Sequence, residues 1–575
     1  MKKLIYIVTY MLLMFLLIFP VSGWAAPATL ATCQGSNEIC FCDYSDNSSC
    51  AEGEAYWNGY ATFTALLAGE DALADDDIVD VGDGAVYREQ WTLDGSGSSG
   101  HPITIRAKTG DSPIISGADI FTTWIDNTGS VANTWYASVT TEPSIVYFND
   151  IRGTPVASVV ACDADKKWYW EANKLYTYGT VDPNTTYPSQ IEAAQRDYGI
   201  RSQEKSYISI EGITTKYPNL DGVQVSAWGG AVDTISLTGV ESIGSYRYGI
   251  SFEEGGTGNA ITNITVTGCT TQDTGNDGLI LATWGGGAIT NVLITGHTSI
   301  ADVWRTTVDK SGIKLFGSDL SGAIIENCVV YNTGITLSDY KTDGGTATAN
   351  GIYIDTVGAN VIARYNLVHD VHRVGMLIEY SDGVAVHNNV VHSNGDIGIT
   401  LFRRVHDNLV YNNTLYGNDE GICVFAYGDV VEGGVTGNLI KNNISFNSND
   451  AELIASQGGE NDGTNGSGNV YLNNCFGPEA ADFVTWGAAT PDTYDVWETA
   501  YGGTTSSAEA DPLFTNAAGG DFTLKPGSPA RHGAVYIPGY TTKLRPEATW
   551  PSGVTTMEDI LSIGAYGVYR GAAGM

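Results

Sequence analysis

A short pattern of apolar and polar residues returns along the middle of this 575-residue chain. Each copy is one glycine followed by a segment in which apolar and polar residues alternate, which predicts a short β-strand. The residues one and three positions after the glycine are apolar, as Ile352 with Ile354 and Met376 with Ile378 illustrate. They are predicted to point inward and their neighbours outward. The copies are DGVQVSA, YGISFEE, DGLILAT, SGIKLFG, NGIYIDT, VGMLIEY, IGITLFR and EGICVFA.

The copies are separated by 23 to 39 residues, an uneven interval that indicates coils with variable loops. A second column recurs at matching intervals and contains Cys269, His297, Cys328, Asn366, Asn389, Asn413 and Asn443. Stacked asparagine side chains at a tight turn bond their neighbours above and below, so this column is interpreted as a scaffold. The two cysteines lie two coils apart and are expected to fill the interior unbonded. These repeats predict an all-β fold, a parallel β-helix (β-solenoid).

Two segments depart from the repeat. YATFTALLAGEDAL has a helical apolar period, which predicts an N-terminal capping helix. NTWYASV and DKKWYWEANKLYTYG have the pattern of strands and a hairpin, which predicts a small β insertion. The predicted boundaries are 1–25 for a signal peptide, 26–52 for a Cys-rich segment, 53–130 for the cap and first coils, 131–200 for the insertion, 201–480 for the core, and 481–575 for the last coils and cap.

The amino end has the composition of a secretory signal peptide. Lys2 and Lys3 precede a long apolar run, and small residues near Gly23 and Ala25 offer a cleavage site. A secreted protein is therefore expected, whether extracellular, at the cell surface or periplasmic, and a monomer without membrane insertion is predicted. Two disulfides of open pairing are expected from the next four cysteines, and a zinc knot is disfavoured because no histidine is near. These cysteines are Cys33, Cys40, Cys42 and Cys50.

The charge of the chain restricts its partners. Acidic residues outnumber basic ones 65 to 28, which gives a net charge of -37. Nucleic acid and anionic membrane surfaces are disfavoured as partners by this charge. An acidic polysaccharide would be repelled unless local Lys, Arg or bound calcium reverses the potential, whereas a neutral glycan meets no such obstacle.

Three stretches carry a likeness to a known group. They are the DIVDVGDGAVYREQWTL start with ITIRAKTGDSPIISG, the Gly and Asn coils, and DPLFTNAAGGDFTLKPGSPARHGA followed by IGAYGVY. In these the chain resembles the right-handed parallel β-helix proteins of the pectate lyase-like superfamily. The resemblance implies a right-handed coil and a polysaccharide partner. Members of that superfamily include polysaccharide lyases, glycoside hydrolases, uronate epimerases and adhesins, so the fold does not select the reaction.

Candidate chemistry lies four residues after each glycine, where the side chain points outward. Asp355 and Glu379 occupy this position on adjacent coils, about 5 Å apart by the coil spacing. So placed, they can share a proton, bind one cation or flank a scissile bond. Phe316 and Phe402 lie in the same predicted column, and sugar rings stack on exposed aromatic faces. The whole column is Ser226, Glu253, Ala282, Phe316, Asp355, Glu379, Phe402 and Phe425.

Five of the eight histidines lie between 369 and 406, but they are not predicted to converge. His387 shares a predicted column with Arg364 and Tyr411, so a zinc site is disfavoured. His369 and His392 share another column, with Tyr331 and Tyr416. His372 and Arg373 lead into the Glu379 strand and are the best histidine-region candidates for substrate contact.

Three functions remain open. In a polysaccharide lyase, which we expect, Asp355 and Glu379 hold calcium, and the base that takes the C5 proton is Lys314, Arg403 or His372. In a glycoside hydrolase the same two acids act as acid and nucleophile without a metal. In a non-catalytic β-solenoid, aromatics such as Trp168 and Trp170 bind glycan. The predicted substrate contacts are Phe316, Phe402, Arg373 and Tyr353.

Overall fold

The computed structural model describes residues 39–42, 58–69, 72–83, 86–188, 190–305, 310–334, 349–425, 434–456, 468–481, 483–531, 533–534 and 564. Within this part of the chain, three long sheets wind into a solenoid, and their strands are parallel except where Ile39–Cys42 pairs antiparallel with its two neighbours. The predicted all-β parallel β-helix is therefore confirmed. The predicted signal peptide, Cys33 and Cys50 lie outside the described residues, as do the side chains of Cys40 and Cys42.

Sheet 1 includes all the strands that contain or directly follow the recurring glycines. It has 12 strands in the described residues, each hydrogen-bonded to the strand one coil away. The strands are Trp91–Thr92, Tyr198–Gln203, Asp221–Ala227, Ile250–Glu254, Leu279–Thr283, Lys310–Phe316, Ala349–Asp355, Met376–Glu379, Ile397–Phe402, Glu420–Phe425, Ala451–Ser456 and Val484–Trp486.

Each coil passes through sheet 1, then sheet 2, then sheet 3. The strands of sheet 2 are Ile39–Cys42, Asn58–Tyr60, Ile78–Val81, Ile103–Ala107, Ile208–Glu211, Val232–Thr238, Ala260–Thr267, Ala288–Thr295, Leu320–Glu326, Ile362–Arg364, Ala385–His387, Leu409–Tyr411, Leu439–Lys441 and Val470–Leu472. The strands of sheet 3 are Val86–Tyr87, Ile114–Ser116, Thr214–Lys216, Glu241–Ile243, Thr270–Gln272, Thr298–Ile300, Val329–Tyr331, Leu367–His369, Val390–His392, Thr414–Tyr416 and Ile444–Phe446.

The inward residues of the three sheets form one core. The apolar residues one and three positions after each sheet 1 glycine, such as Ile352 and Ile354, are fully buried in it. Cys269 and Cys328 are free and buried in the same core, as predicted. Burial of this continuous apolar file is the main favourable term for a solenoid, because each coil covers the next.

The predicted asparagine column is present between sheets 2 and 3. The side-chain oxygen of Asn389 accepts bonds from both the backbone N–H and the side-chain amide of Asn366, each at 3.0 Å. The amide of Asn389 in turn donates to Asn413 at 2.9 Å and to the carbonyl of Ala363 at 3.0 Å. The ladder continues through Asn443. Every polar group of these buried side chains is thus satisfied inside the scaffold.

Both ends of the core are covered. The helix Phe63–Gly69 buries Phe63 and Leu66, and the Phe63 ring stacks on Trp91 with centroids 4.6 Å apart. At the other end the helix Tyr494–Tyr501 buries Tyr494 and Trp497. The antiparallel hairpin of Phe514–Asn516 and Asp521–Leu524 packs on the outer face of sheet 3. A second pair of short strands is Val405–His406 with Val435–Thr436, and the short turns of 3-10 helix in the described residues are Val159–Ala161 and Ala517–Gly519.

The β insertion forms two small sheets with their own apolar core. The insertion begins at Ala118, before the predicted boundary at residue 131. It also contains the short helix Pro183–Thr186. The first sheet has Ile125–Asp126, Thr134–Ser138, Thr154–Pro155, Lys167–Glu171 and Lys174–Tyr178; the second has Ala118–Ile120, Val146–Phe148, Ile151–Arg152 and Ile191–Ala194. Among the helices that the structure describes, none has the length and apolar character needed to cross a membrane.

Candidate active site

The outward column of sheet 1 has the register that the glycine spacing predicts. Asp355 lies directly opposite Glu379 on the next strand, and Phe316 and Phe402 lie on either side of this pair. Neighbouring parallel strands are about 4.8 Å apart, so the two acidic side chains start from adjacent backbone positions. The remaining members of the column follow in order from Ser226 to Phe425.

A left-handed residue ends each of the three strands around the acids. Thr356, Tyr380 and Arg403 follow the column directly and have φ angles of 56°, 47° and 62°. This conformation is uncommon in residues other than glycine, asparagine and aspartate, and it turns the chain sharply toward sheet 2. The turn at Arg403 places its guanidinium beside Glu379 on the preceding coil, with Nε 3.1 Å from Oε1.

Each acid of the pair is matched by a cation. The ammonium of Lys314 lies 3.4 Å from Asp355, and Arg403 lies beside Glu379. The phenol of Tyr353 also donates a hydrogen bond to Glu379. Asp355 and Glu379 are only 8% and 4% exposed, so these partners offset the cost of burying two like charges. The result is a locally neutral cluster in a strongly acidic protein.

Aromatic rings surround the cations of this cluster. The Lys314 ammonium lies 4.0 Å from the ring centre of Tyr353 and 5.4 Å from that of Phe316. The Arg403 guanidinium lies 5.1 Å from the ring centre of Phe402. Such contacts attract a cation to the ring face and hold it in place. Five of the nine predicted site residues are therefore linked through direct contacts, and the two phenylalanine rings flank them.

The structure does not bring His372 and Arg373 to this cluster. His372 is exposed, and its backbone N–H donates to the carbonyl of Thr333 at 3.0 Å. Arg373 pairs with Asp396 on the next coil at 3.5 Å. Both precede the strand that Glu379 ends, so they lie on the order of 20 Å away along the strand direction. Proximity in sequence suggested a contact that the extended strand prevents.

Three other histidines of this region, His369, His387 and His392, are stacked coil residues, as predicted. His387 is paired in register with Arg364 and Tyr411, and its ring stacks on that of Tyr411 at 4.6 Å. Burial lowers the pKa of His387 to about 4, which makes it a neutral side chain at pH 7. His369 and His392 stack in the second predicted column with centroids 5.0 Å apart.

The acid pair does not fit a calcium ion. Within the described ranges, no group of three or more His, Cys, Asp or Glu side chains is arranged to hold a metal. Calcium takes six to eight oxygen ligands. Asp355 and Glu379 instead have Lys314 and Arg403 beside them, and each of these cations already balances one carboxylate.

A second charged cluster, which sequence reasoning did not single out, lies lower on the same face. Arg247 Nη2 lies 2.5 Å from Asp221 and 2.9 Å from Glu253. Gln224 donates to Glu253 at 2.9 Å, and Ser251 donates to Asp221 at 2.9 Å. Burial, followed by the nearby Asp221 charge, raises the pKa of Glu253. Internal partners occupy both carboxylates, which is the pattern of a structural network.

Two exposed tryptophans were also missed by sequence reasoning. Trp228 and Trp284 directly follow sheet 1 strands and are 46% and 49% exposed. The signal that marks them is a repeated Trp-Gly-Gly at 228–230 and 284–286. The two tryptophans considered for a non-catalytic function are different: Trp168 is buried in the insertion core, and Trp170 donates its indole N–H to the carbonyl of Val139 at 2.8 Å.

Comparison with known proteins supports the fold. Residues 248–490 match the family model described as a right handed beta helix region. The uncharacterized protein YwoF of Bacillus subtilis (strain 168) is 28% identical over 201 residues, which cover 32% of this chain and 41% of YwoF. The matched part of the chain thus spans less than half the length of this curated relative.

Several solved structures are similar at low sequence identity. The complex of XylC with xylose is 14% identical, covers 70% of each chain and has a TM-score of 0.44. The GH136 lacto-N-biosidase from Eubacterium ramulus is 12% identical over 71% of this chain and 61% of that one, with a TM-score of 0.41. The A-module of Azotobacter vinelandii mannuronan C-5 epimerase AlgE4 is 14% identical over 70% and 86%, with a TM-score of 0.37. None of these values assigns a reaction to this chain.

Proposed function

We propose that this chain, whose residues 248–490 match the right handed beta helix region model, binds a glycan along the outer face of sheet 1 and hydrolyses it. One observation carries the proposal. Asp355 and Glu379 lie opposite each other on adjacent strands, each beside its own cation, between two aromatic rings of the same column. Two carboxylates on adjacent strands suit a retaining glycosidase, whose acids stand about 5 Å apart.

The contacts suggest a division of roles between the acids. Glu379 accepts bonds from Arg403 and from the Tyr353 phenol, and such donors favour the ionised form that attacks the anomeric carbon. Asp355 has the more distant cation, the Lys314 ammonium at 3.4 Å, together with the Thr356 hydroxyl at 2.8 Å, and is therefore assigned the remaining role of acid. In this proposal Asp355 protonates the departing glycosidic oxygen while Glu379 forms the glycosyl ester. Water then cleaves the ester and gives its proton to Asp355.

Charge favours a neutral substrate. The cluster contains two acids and two bases, so it offers no surplus positive charge to hold a uronate. The whole protein has a net charge of -37, and this charge repels polyuronates over a longer range. A neutral glycan avoids both obstacles and can stack on the rings of Phe316 and Phe402.

β-Elimination is the second candidate because Lys314 and Arg403 flank the acid pair. In that reaction one cation holds the uronate carboxylate and the other side chain, as a base, takes the C5 proton. The product then has a carbon–carbon double bond that absorbs in the ultraviolet, which hydrolysis does not produce.

The test is product analysis on a panel of neutral and uronate glycans, each with added calcium and with chelator. We expect new reducing ends without ultraviolet absorbance, in both conditions. Glu379→Gln and Asp355→Asn should lower turnover by about 10²- to 10⁴-fold. Glu326→Gln is the matched control, since Glu326 pairs with Arg364 on sheet 2 at 2.6 Å. Products that absorb in the ultraviolet would show that the reaction is elimination and not hydrolysis. Unchanged turnover in both site variants would reject this site.

A further inference from the structure

Two exposed indole rings stand on one edge of sheet 1. Trp228 follows Ala227, which pairs in register with Glu254, and Glu254 pairs with Thr283 directly before Trp284. The tryptophans therefore lie two coils apart along the solenoid axis, roughly 10 Å by the strand spacing. At 46% and 49% exposure, they are the two aromatic residues among the exposed large hydrophobic residues of the described chain. Large apolar rings left in water close to each other on one face are typical of a binding surface.

The coil between the two rings is shaped by glycine. A Cβ atom on Gly255 would lie 2.0 Å from Cε3 of Trp228, so the indole rests directly on this backbone. A Cβ atom on Gly285 would lie 2.5 Å from the carbonyl carbon of Gly255. Glycine at these positions lets the turns pack backbone to backbone. The local structure thus holds the Trp228 ring against the coil and keeps it out of the core.

Carboxylates hold the turns that present the rings. Glu204 accepts a bond from the backbone N–H of Gly229 at 2.7 Å. Glu254, which is fully buried, accepts from the N–H of Gly256 at 2.6 Å and from that of Gly285 at 3.2 Å. The residues after both tryptophans are therefore tied to fixed acceptors. A ring presented on a fixed turn loses little conformational entropy when a ligand stacks on it.

The exposed rings continue into the proposed cleavage site. The ring centroid of Trp284 lies 4.8 Å from that of Phe316. Phe316 is in turn the column neighbour of Asp355. The aromatic surface therefore runs along the axis from Trp228 through Trp284 to the acid pair, and the carboxylates of Glu204 and Glu254 beside it disfavour an anionic sugar.

We propose that Trp228 and Trp284 form a binding platform for a neutral linear glycan that lies parallel to the solenoid axis. Successive parts of the chain stack on the two indoles, and its end reaches Asp355 and Glu379. This inference rests on the proposed function only for the last step, because the platform binds glycan whether or not cleavage follows.

The test measures binding of soluble neutral polysaccharides and of polyuronates by affinity electrophoresis and calorimetry. It uses the full chain carrying Glu379→Gln, so that no substrate is consumed. We expect Trp284→Ala and Trp228→Ala to weaken the affinity for a neutral polysaccharide about 5- to 10-fold each, as a ring contact of about 1 kcal/mol implies. Trp284→Phe should recover part of the loss. Val496→Ala, an exposed apolar residue on the terminal helix, is the control.

The outcomes separate the two proposals. Unchanged affinity in both alanine variants, with native circular dichroism, overturns the platform even if the protein cleaves glycans. Preferential binding of polyuronates overturns the neutral class. One outcome is that a protein that retains Asp355 and Glu379 binds glycan through the tryptophans and yet releases no product. That outcome supports the platform and overturns hydrolysis.

Discussion

Two vertical files of the same solenoid have opposite characters. In the asparagine ladder, Asn366, Asn389, Asn413 and Asn443 repeat one residue type, and each side chain bonds the next at 2.9 to 3.0 Å. In the outward column of sheet 1 the residue type changes from coil to coil, and the acids at its centre are paired with cations. Both files have the same strand spacing, so geometry alone does not distinguish them.

The difference lies in where the bonding capacity is used. The ladder asparagines are buried and use their amide groups on one another and on backbone groups, which leaves nothing for a ligand. Directly after the outward column, Arg403 keeps 38% of its side chain exposed while it binds Glu379. A repeated residue therefore indicates scaffold, and a column that changes residue type and gathers opposite charges indicates a place for chemistry.

The largest stability effect is expected from breaking the ladder. Asn413→Ala removes the acceptor of the Asn389 backbone N–H and side chain, and the donor to the carbonyl of Val386. Each buried group left unpaired costs about 1–3 kcal/mol, so we expect the free energy of unfolding to fall by about 3 kcal/mol. Urea unfolding measures this.

The control for the ladder is Asn449→Ala, because Asn449 is exposed and its side-chain amide donates to the side chain of Asp419. It should change stability by less than about 0.5 kcal/mol. Specific activity per folded molecule should be unchanged in both variants. Equal stability of the two variants would contradict the scaffold interpretation.

A smaller effect is expected from the buried His387 as pH changes. Its pKa is about 4 in the folded protein against 6.5 for the free side chain. Because the folded pKa is depressed, the unfolded chain binds a proton first, and stability is lost as pH falls from about 6.5 toward 4. At pH 5 the loss from this one residue is about 2 kcal/mol.

His387→Phe retains a ring to stack on Tyr411 and removes the titration. We expect this variant to lose about 2 kcal/mol less than the parent protein between pH 7 and pH 5, as measured by urea unfolding at both pH values. The exposed His372→Phe serves as the control for the replacement of a histidine by phenylalanine in the same region. An unchanged slope in His387→Phe would show that this imidazole is not the buried neutral group described.

The smallest effect is expected from His372→Ala. His372 was a candidate base by sequence, but the structure exposes it at the opposite end of the strand from Glu379. Glycan turnover should therefore stay within about twofold of the parent protein, and stability within about 0.5 kcal/mol. A turnover loss comparable with that of Glu379→Gln would show that the active site lies where the strands of sheet 1 begin, and not where they end.

Much of the fold could be predicted because a solenoid converts sequence intervals into neighbours. Once Gly351 and Gly375 are identified as equivalent, Asp355 and Glu379 must face each other, and the structure has this pairing. The histidine columns follow from the same counting. The residues at which irregular segments begin were harder to predict, because hairpins have no repeat interval. The insertion is an example, since its first strand begins at Ala118.

The ion pairs that neutralise the candidate site could not be predicted from the spacing of the repeat. Lys314 reaches Asp355 diagonally, two positions out of register, and Arg403 reaches Glu379 from a left-handed turn. The distance between His372 and the acid pair depends on the direction of an extended strand. Exposure of Trp228 and burial of Trp168 likewise depend on what packs around each ring.

The amino-acid sequence by itself determined the coil, its register and the members of each vertical file, since the spacing of glycines and asparagines sets which residues stack. Only the tertiary structure decided which members of a file are paired, neutralised, covered or left in water. Those properties depend on side-chain direction and on packing between loops and sheets, and residues far apart in the chain supply both. For this protein the neutral pairing of Asp355 with Lys314 and of Glu379 with Arg403 belongs to that second group.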